Sequence, residues 1–145
     1  MVHVGAALNA EMRERALAET AANPRYVWLG ELPRWRALRL LARSRLLALT
    51  SRLEGGANAV SEALACSVPV ISSQISGSIG LLGPDYPGYF PVGDTRALAD
   101  LLERAETQVG FYEDLKSRCA NLRSLVDPCR ERRSWQRLLA ELAAQ

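Results

Sequence analysis

The residues best suited to chemistry lie between Thr50 and Leu64, where Glu54 and Glu62 flank the run Gly55-Gly56-Ala57-Asn58. Two glycines followed by small side chains leave backbone N–H groups unshielded where a helix should begin. A helix start has unpaired donors and the positive end of the peptide dipole, which together can hold a diphosphate. Glu54 falls just before this helix, and Glu62 about two turns inside it. Carboxylates accept hydrogen bonds from vicinal diols, such as those of a ribose or a hexose. One carboxylate on each side of a phosphate-binding terminus therefore suits a nucleotide sugar. Glycines at a strand-to-helix turn often serve only the turn, however, and a helical glutamate is usually a solvated face. By itself this stretch favours the plainer reading.

A second candidate is the segment 74–83, where Ser76, Gly77, Ser78 and Gly80 offer hydroxyls and exposed amides. It could form an anion cradle near a sugar's reacting carbon. Its plainer reading is a flexible loop whose glycines permit positive φ. Arg52 could neutralise phosphate charge locally, or simply sit in a surface pair. Glu31, after Gly30, could approach a base or ribose from the neighbouring strand end.

Composition excludes several other classes. The 145 residues carry a formal charge of +2, too small to imply a nucleic-acid or membrane partner. Arg34, Arg36, Arg39, Arg43 and Arg45 scatter around a helix and read as a solvated face. Cys66, Cys119 and Cys129 are widely spaced and lie far from His3, the single histidine, so no zinc site is expected. His3 has no nucleophile or metal partner placed with it. Nothing resembles a signal peptide, and no apolar run approaches the ~20 residues of a membrane span. The expectation is a cytoplasmic protein with free thiols.

The elements that must position these residues alternate short apolar runs with amphipathic helices. Strands are expected at Val2–Gly5, Tyr26–Leu29, Leu46–Leu49, Val68–Ile71 and Tyr89–Val92. The Leu46–Leu49 run reads as a parallel strand covered on both faces. Pro69 implies a strand start or a sheet edge. Asn9 can cap a helix to about Ala22, and Pro33 suits the first turn of another that presents Trp35, Leu38, Leu41 and Ala42. A helix from about Ala57 to Cys66 follows, and then one capped by Asp94 or Thr95. The last two helices present Phe111, Leu115, Cys119 and Leu122, then Trp135, Leu138, Leu139 and Leu142. Trp28, Trp35 and Trp135 read as core or interface anchors. Strands separated by such helices imply right-handed crossovers, hence one α/β domain over 1–145 with a Rossmann-like parallel sheet in a three-layer sandwich. Ligands of such sheets sit beyond the carboxyl ends of the strands, where the Glu54 loop falls.

Glu54-x7-Glu62-Ala63, with Ser51 before it and Val68-Pro69-Val70 after it, resembles the EX7E signature of family 4 retaining glycosyltransferases. That resemblance implies the GT-B fold, two Rossmann-like domains with the active site between them. It would place Glu54 on donor-sugar hydroxyls, the amides of Gly55, Gly56, Ala57 and Asn58 on the diphosphate, and Glu62 on the ribose. Ser51 to Asn58 is also similar to the divergent selenosugar synthase family of selenoneine biosynthesis. So are Ile75 to Gly83, Tyr86 to Asp94, Asp127-Pro128 and Arg130-Glu131-Arg132. Members of that family join selenophosphate to a UDP-sugar, usually UDP-N-acetylglucosamine, and release UDP.

By this resemblance Gly77 and Ser78 would lie near the donor sugar, and no metal or other cofactor is implied. The chain would be the C-terminal half of a GT-B fold lacking its first βα unit, with its catalytic residues in a missing N-terminal domain, weak UDP binding and no turnover alone. The helix over 127–145 would pack toward that domain, and its apolar face could otherwise support a homodimer. A conventional hexosyltransferase domain and a non-catalytic nucleotide- or partner-binding module are the alternatives.

Overall fold

The computed structural model describes residues 1–143; the last two residues of the expected C-terminal helix lie outside them. Backbone contacts divide the chain into two compact units, Met1–Leu40 and Leu41–Gln145.

In the first unit, β1 (Val2–His3) pairs in parallel with β2 (Val27–Trp28), Val2 opposite Val27 and His3 opposite Trp28. Helix α1 (Ala10–Ala22) begins where Asn9 accepts a bond from the Met12 amide at 2.8 Å, as an Asn cap should. Thr20 ties this helix to β2: its Oγ1 accepts from the Trp28 amide at 3.1 Å and donates to Ala16 O at 2.8 Å. The Trp28 indole N–H donates to Gly5 O at 3.0 Å, and His3 Nδ1 meets the Tyr26 hydroxyl at 2.6 Å. Helix α2 (Arg34–Leu41) starts after Pro33, whose carbonyl accepts from the Arg36 and Ala37 amides. Its Trp35 is 60% exposed, so that residue is no core anchor.

The second unit runs β3 (Leu47–Leu49), α3 (Asn58–Ala65), β4 (Val70–Ser73), α4 (Ser76–Leu82), β5 (Tyr89–Phe90), α5 (Thr95–Thr107) and α6 (Val109–Leu122). A 3-10 turn (Arg123–Val126) and α7 (Pro128–Ala143) complete it. The strands are parallel in the order β3-β4-β5, with Leu47 opposite Val70 and Ser72 opposite Tyr89. Strand β4 is therefore central and every residue of it is buried. Pro69 marks the start of a central strand, not an edge. Its missing N–H costs nothing there, and its carbonyl still accepts from the Leu47 amide at 2.9 Å. The fully covered strand is β4 rather than β3, all of whose residues are only half-buried.

Val60, Ala63 and Leu64 of α3, Val70 and Ile71 of β4, and Leu115 and Cys119 of α6 are completely buried. Each of the larger aliphatic side chains among them contributes roughly 1.5–3 kcal/mol by leaving water. Tyr86 fastens this core: its hydroxyl donates to Val70 O at 2.6 Å, accepts from Val70 N at 3.3 Å and meets Cys119 Sγ at 3.3 Å. Asp94 caps α5 through the Ala97 amide at 2.9 Å. Cys119 is buried, Cys66 half-buried and Cys129 exposed, all as free thiols. Helix α7 differs from the rest of the unit, since Trp135, Leu138, Leu139 and Leu142 remain 45–60% exposed.

Candidate functional site

The loop leaving β3 is fixed by serines. Ser73, the buried last residue of β4, donates its hydroxyl to Ser51 O at 2.5 Å. Ser51 in turn donates its own hydroxyl to Glu54 Oε1, also at 2.5 Å. A hydroxyl bonded to a carboxylate is a charge-assisted contact and strong for its size. Glu54, half-buried, is thus presented with one oxygen already engaged.

Beyond Glu54 the chain opens out. Gly55 and Gly56 are exposed, and a side chain added at either would meet nothing within 4 Å. Ala57, completely buried, begins α3 without any side-chain cap. Its carbonyl accepts from the Val60 and Ser61 amides, and Asn58 N turns back to Gly56 O at 2.9 Å. No side chain caps this helix start, and with Asn58 N turned back on the loop the exposed amides before it are those of Gly55 and Gly56. Asn58 and Arg52 are exposed, and Glu62 is half-buried on α3.

Helix α4 supports the same loop from beneath. A Cβ at Gly77 would lie 2.8 Å from Glu54 O and 3.3 Å from Ala57 N, so only glycine allows this approach. Ser78 is completely buried, and its hydroxyl lies 2.7 Å from that of Ser72. The Ser78 hydroxyl expected to face a sugar is therefore turned inward. Gly77 likewise is a seat for the Glu54 loop and not an open cradle. The segment 74–83, whose plainer reading is a flexible loop, holds a seven-residue helix. The far end of that helix is clamped by Tyr89, whose hydroxyl donates to Ser78 O at 3.1 Å and Gly83 O at 2.9 Å. Burial pushes the Tyr89 hydroxyl pKa up to about 12, which keeps that donor protonated.

The structure thus brings Ser51, Glu54, Gly55, Gly56, Ala57 and Gly77 together, with Glu62 further along α3. Sequence reading missed Ser72 and Ser73, because a serine at a strand end gives no signal until the strand order puts it beside the preceding loop. A groove of about 610 Å³ runs along α7, lined by Arg130, Arg133, Ser134, Arg137, Leu138 and Glu141. One exposed helix face lines it and none of the loop residues does, so the loop remains the better site. Among the described residues no three His, Cys, Asp or Glu side chains are grouped to hold a metal ion, and no helix is long and apolar enough to cross a membrane.

The family model of glycosyl transferases group 1 matches residues 2–121. Among solved structures, the chain superposes on HepE of Anabaena in complex with UDP with a TM-score of 0.79 and 22% identity, over 97% of this chain and 40% of that one. The complex of the same protein with UDP-glucose gives 0.68 and 22%, over 86% and 35%. Sucrose-phosphate synthase of Thermosynechococcus elongatus gives 0.77 and 21%, over 99% and 39%. At such identities the likeness is one of fold, an α/β portion of GT-B glycosyltransferases. The chain spans about 40% of the length of these structures. No curated protein matches the sequence.

Proposed function

The chain belongs to the glycosyl transferases group 1 family, and from that premise we propose that the loop from Arg52 to Glu62 binds a UDP-sugar donor for sugar transfer. Glu54 accepts from hydroxyls of the sugar. The amides of Gly55 and Gly56 receive the diphosphate, with Arg52 adding charge and no metal required; those of Ala57 and Asn58, expected there from the sequence, are respectively buried and bonded to Gly56 O. Glu62 accepts from the ribose. The observation that carries this reading is the Ser51–Glu54 bond, which holds a carboxylate at the mouth of an uncapped helix start. Gly77 supports the sugar subsite from below, and Ser78 through its bond to Ser72.

The finer reading is a sugar, N-acetylglucosamine by preference, passed to selenophosphate. Its selenium would bond to the anomeric carbon while the bond from that carbon to the UDP oxygen breaks, and UDP would leave with the electron pair. What supports this acceptor is the similarity of Ser51–Asn58, Ile75–Gly83 and Tyr86–Asp94 to selenosugar synthases.

Titration calorimetry with UDP, UDP-glucose and UDP-N-acetylglucosamine tests the roles. Glu62→Ala should weaken all three ligands about tenfold, the size of a lost hydrogen bond to a charged group. Glu54→Ala should weaken the two sugars by a similar factor and spare UDP. Equal losses for both variants would overturn the assignment. Failure of the unsubstituted chain to bind any of the three would point instead to a partner-binding module.

A further inference from the structure

Glu54 is held by more than its own loop. The path runs from Ser73 Oγ to Ser51 O, and from Ser51 Oγ to Glu54 Oε1, with both bonds at 2.5 Å. Ser73 lies 22 residues beyond Ser51 in sequence, yet parallel pairing of β3 with β4 sets the two strand ends side by side. It is completely buried in a strand whose other members include Val70 and Ile71. A small apolar residue would fill that place as well and would need no hydrogen-bond partner. The hydroxyl is explained by what it bonds.

Resting on the donor-site reading above, we propose that Ser73 is a positioning residue for Glu54 and thereby sets the preference for a sugar-bearing donor over bare UDP. By anchoring the Ser51 carbonyl it fixes where the Ser51 hydroxyl points. That hydroxyl occupies Oε1 and leaves Oε2 as the oxygen presented to the sugar. Gly77 completes the arrangement, because its missing side chain lets α4 touch the Glu54 carbonyl from the opposite side. The carboxylate is thus set before ligand arrives, which spares the ligand the cost of ordering it. Neither serine bonds to the amides of Gly55 to Asn58 or to Glu62, so UDP affinity is independent of the two hydroxyls.

The test uses the 145-residue chain with UDP and UDP-glucose in titration calorimetry. Ser51→Ala should weaken UDP-glucose about tenfold and Ser73→Ala about threefold, each leaving UDP unchanged, as expected for a charge-assisted bond and its support. Ser73→Thr keeps the hydroxyl and should restore binding. In a Glu54→Ala background, Ser73→Ala should cost nothing further, which a merely structural role would not predict. Equal loss of both ligands in Ser73→Ala, no rescue by Ser73→Thr, or an undiminished effect without Glu54 would each overturn the proposal. If Ser73→Ala does not fold, Ser51→Ala in the half-buried loop carries the same comparison. A Glu54→Ala variant that keeps full UDP-glucose affinity would instead remove the donor-site reading beneath it.

Discussion

Gly77 and Gly88 differ from Gly55 and Gly56 in what surrounds them, and the difference divides the second unit into a closed floor and an open rim. A Cβ at Gly88 would lie 2.6 Å from Val70 O, 2.7 Å from a Tyr86 ring carbon and 3.1 Å from Leu115 Cδ2. At Gly77 it would lie 2.8 Å from Glu54 O. At Gly55 and Gly56 it would meet nothing within 4 Å. The same residue type therefore serves two purposes within one unit. In the floor glycine permits backbones to touch; in the rim it leaves amides uncovered. Burial follows the same line, with Val60, Leu64, Ile71 and Leu115 closed off below while Leu53 is 84% exposed above.

The sharpest test of that division is Gly88→Ala. The added methyl meets a backbone carbonyl that is itself engaged by Tyr86, so neither neighbour can yield cheaply. A loss of about 3 kcal/mol of stability is expected, the upper end for overpacking a core. Urea denaturation followed by circular dichroism measures it. A loss below about 0.5 kcal/mol, the range of surface substitutions, would show that the floor gives way as freely as the rim.

The floor should also be the part that fails in alkali. Burial raises the pKa of Tyr86 far above its ordinary value, with the Cys119 thiol beside it adding to the shift, and burial raises Cys119 as well. Both groups ionise more easily in the unfolded chain, so the folded state holds the extra protons at high pH. Stability should be flat up to about pH 8 and then fall, first through Cys119 and more steeply once Tyr86 ionises in the unfolded chain. Above the unfolded-state values each group contributes up to about 1.4 kcal/mol per pH unit. Tyr86→Phe should shallow the fall in urea midpoints measured between pH 9 and 11, although it also removes the bond to Val70 O. An unchanged slope would mean that the Tyr86–Cys119 contact opens before the protein unfolds.

What the sequence made legible follows the same boundary. Asn9 and Asp94 announced their helices because a cap is a local bargain between one side chain and one amide. The Phe111, Leu115, Cys119, Leu122 stripe found its core, whereas the equally periodic Trp135, Leu138, Leu139, Leu142 stripe remained exposed. Periodicity names a helix's apolar face but not what lies against it. Glu54 and the glycines after it could be picked out as candidates by residue type and position, but only their resemblance to a known signature raised them above an ordinary strand-to-helix turn. Ser72, Ser73 and the inward turn of Ser78 could not. Their roles depend on which strands are neighbours, and serine is equally at home on a surface.

Gly77 lies where floor and rim meet, so its substitution separates packing from ligand binding. At Gly77→Ala the methyl meets the Glu54 backbone carbonyl, so the loop must yield. A stability loss of about 1–3 kcal/mol is expected, as for overpacking, while UDP-glucose loses affinity relative to UDP as the Glu54 loop is pushed outward. Gly56→Ala should do the reverse. The position is open, so stability changes by no more than about 0.5 kcal/mol. The new methyl shades the amides at the start of α3, so UDP and UDP-glucose should weaken together, by about threefold. Thermal melts beside calorimetry on the two variants give both readouts. If Gly56→Ala instead spared both ligands and Gly77→Ala weakened them equally, the diphosphate would have to be moved from the start of α3 to the α4 side of the loop. The closed floor would then be part of the binding surface rather than only its support.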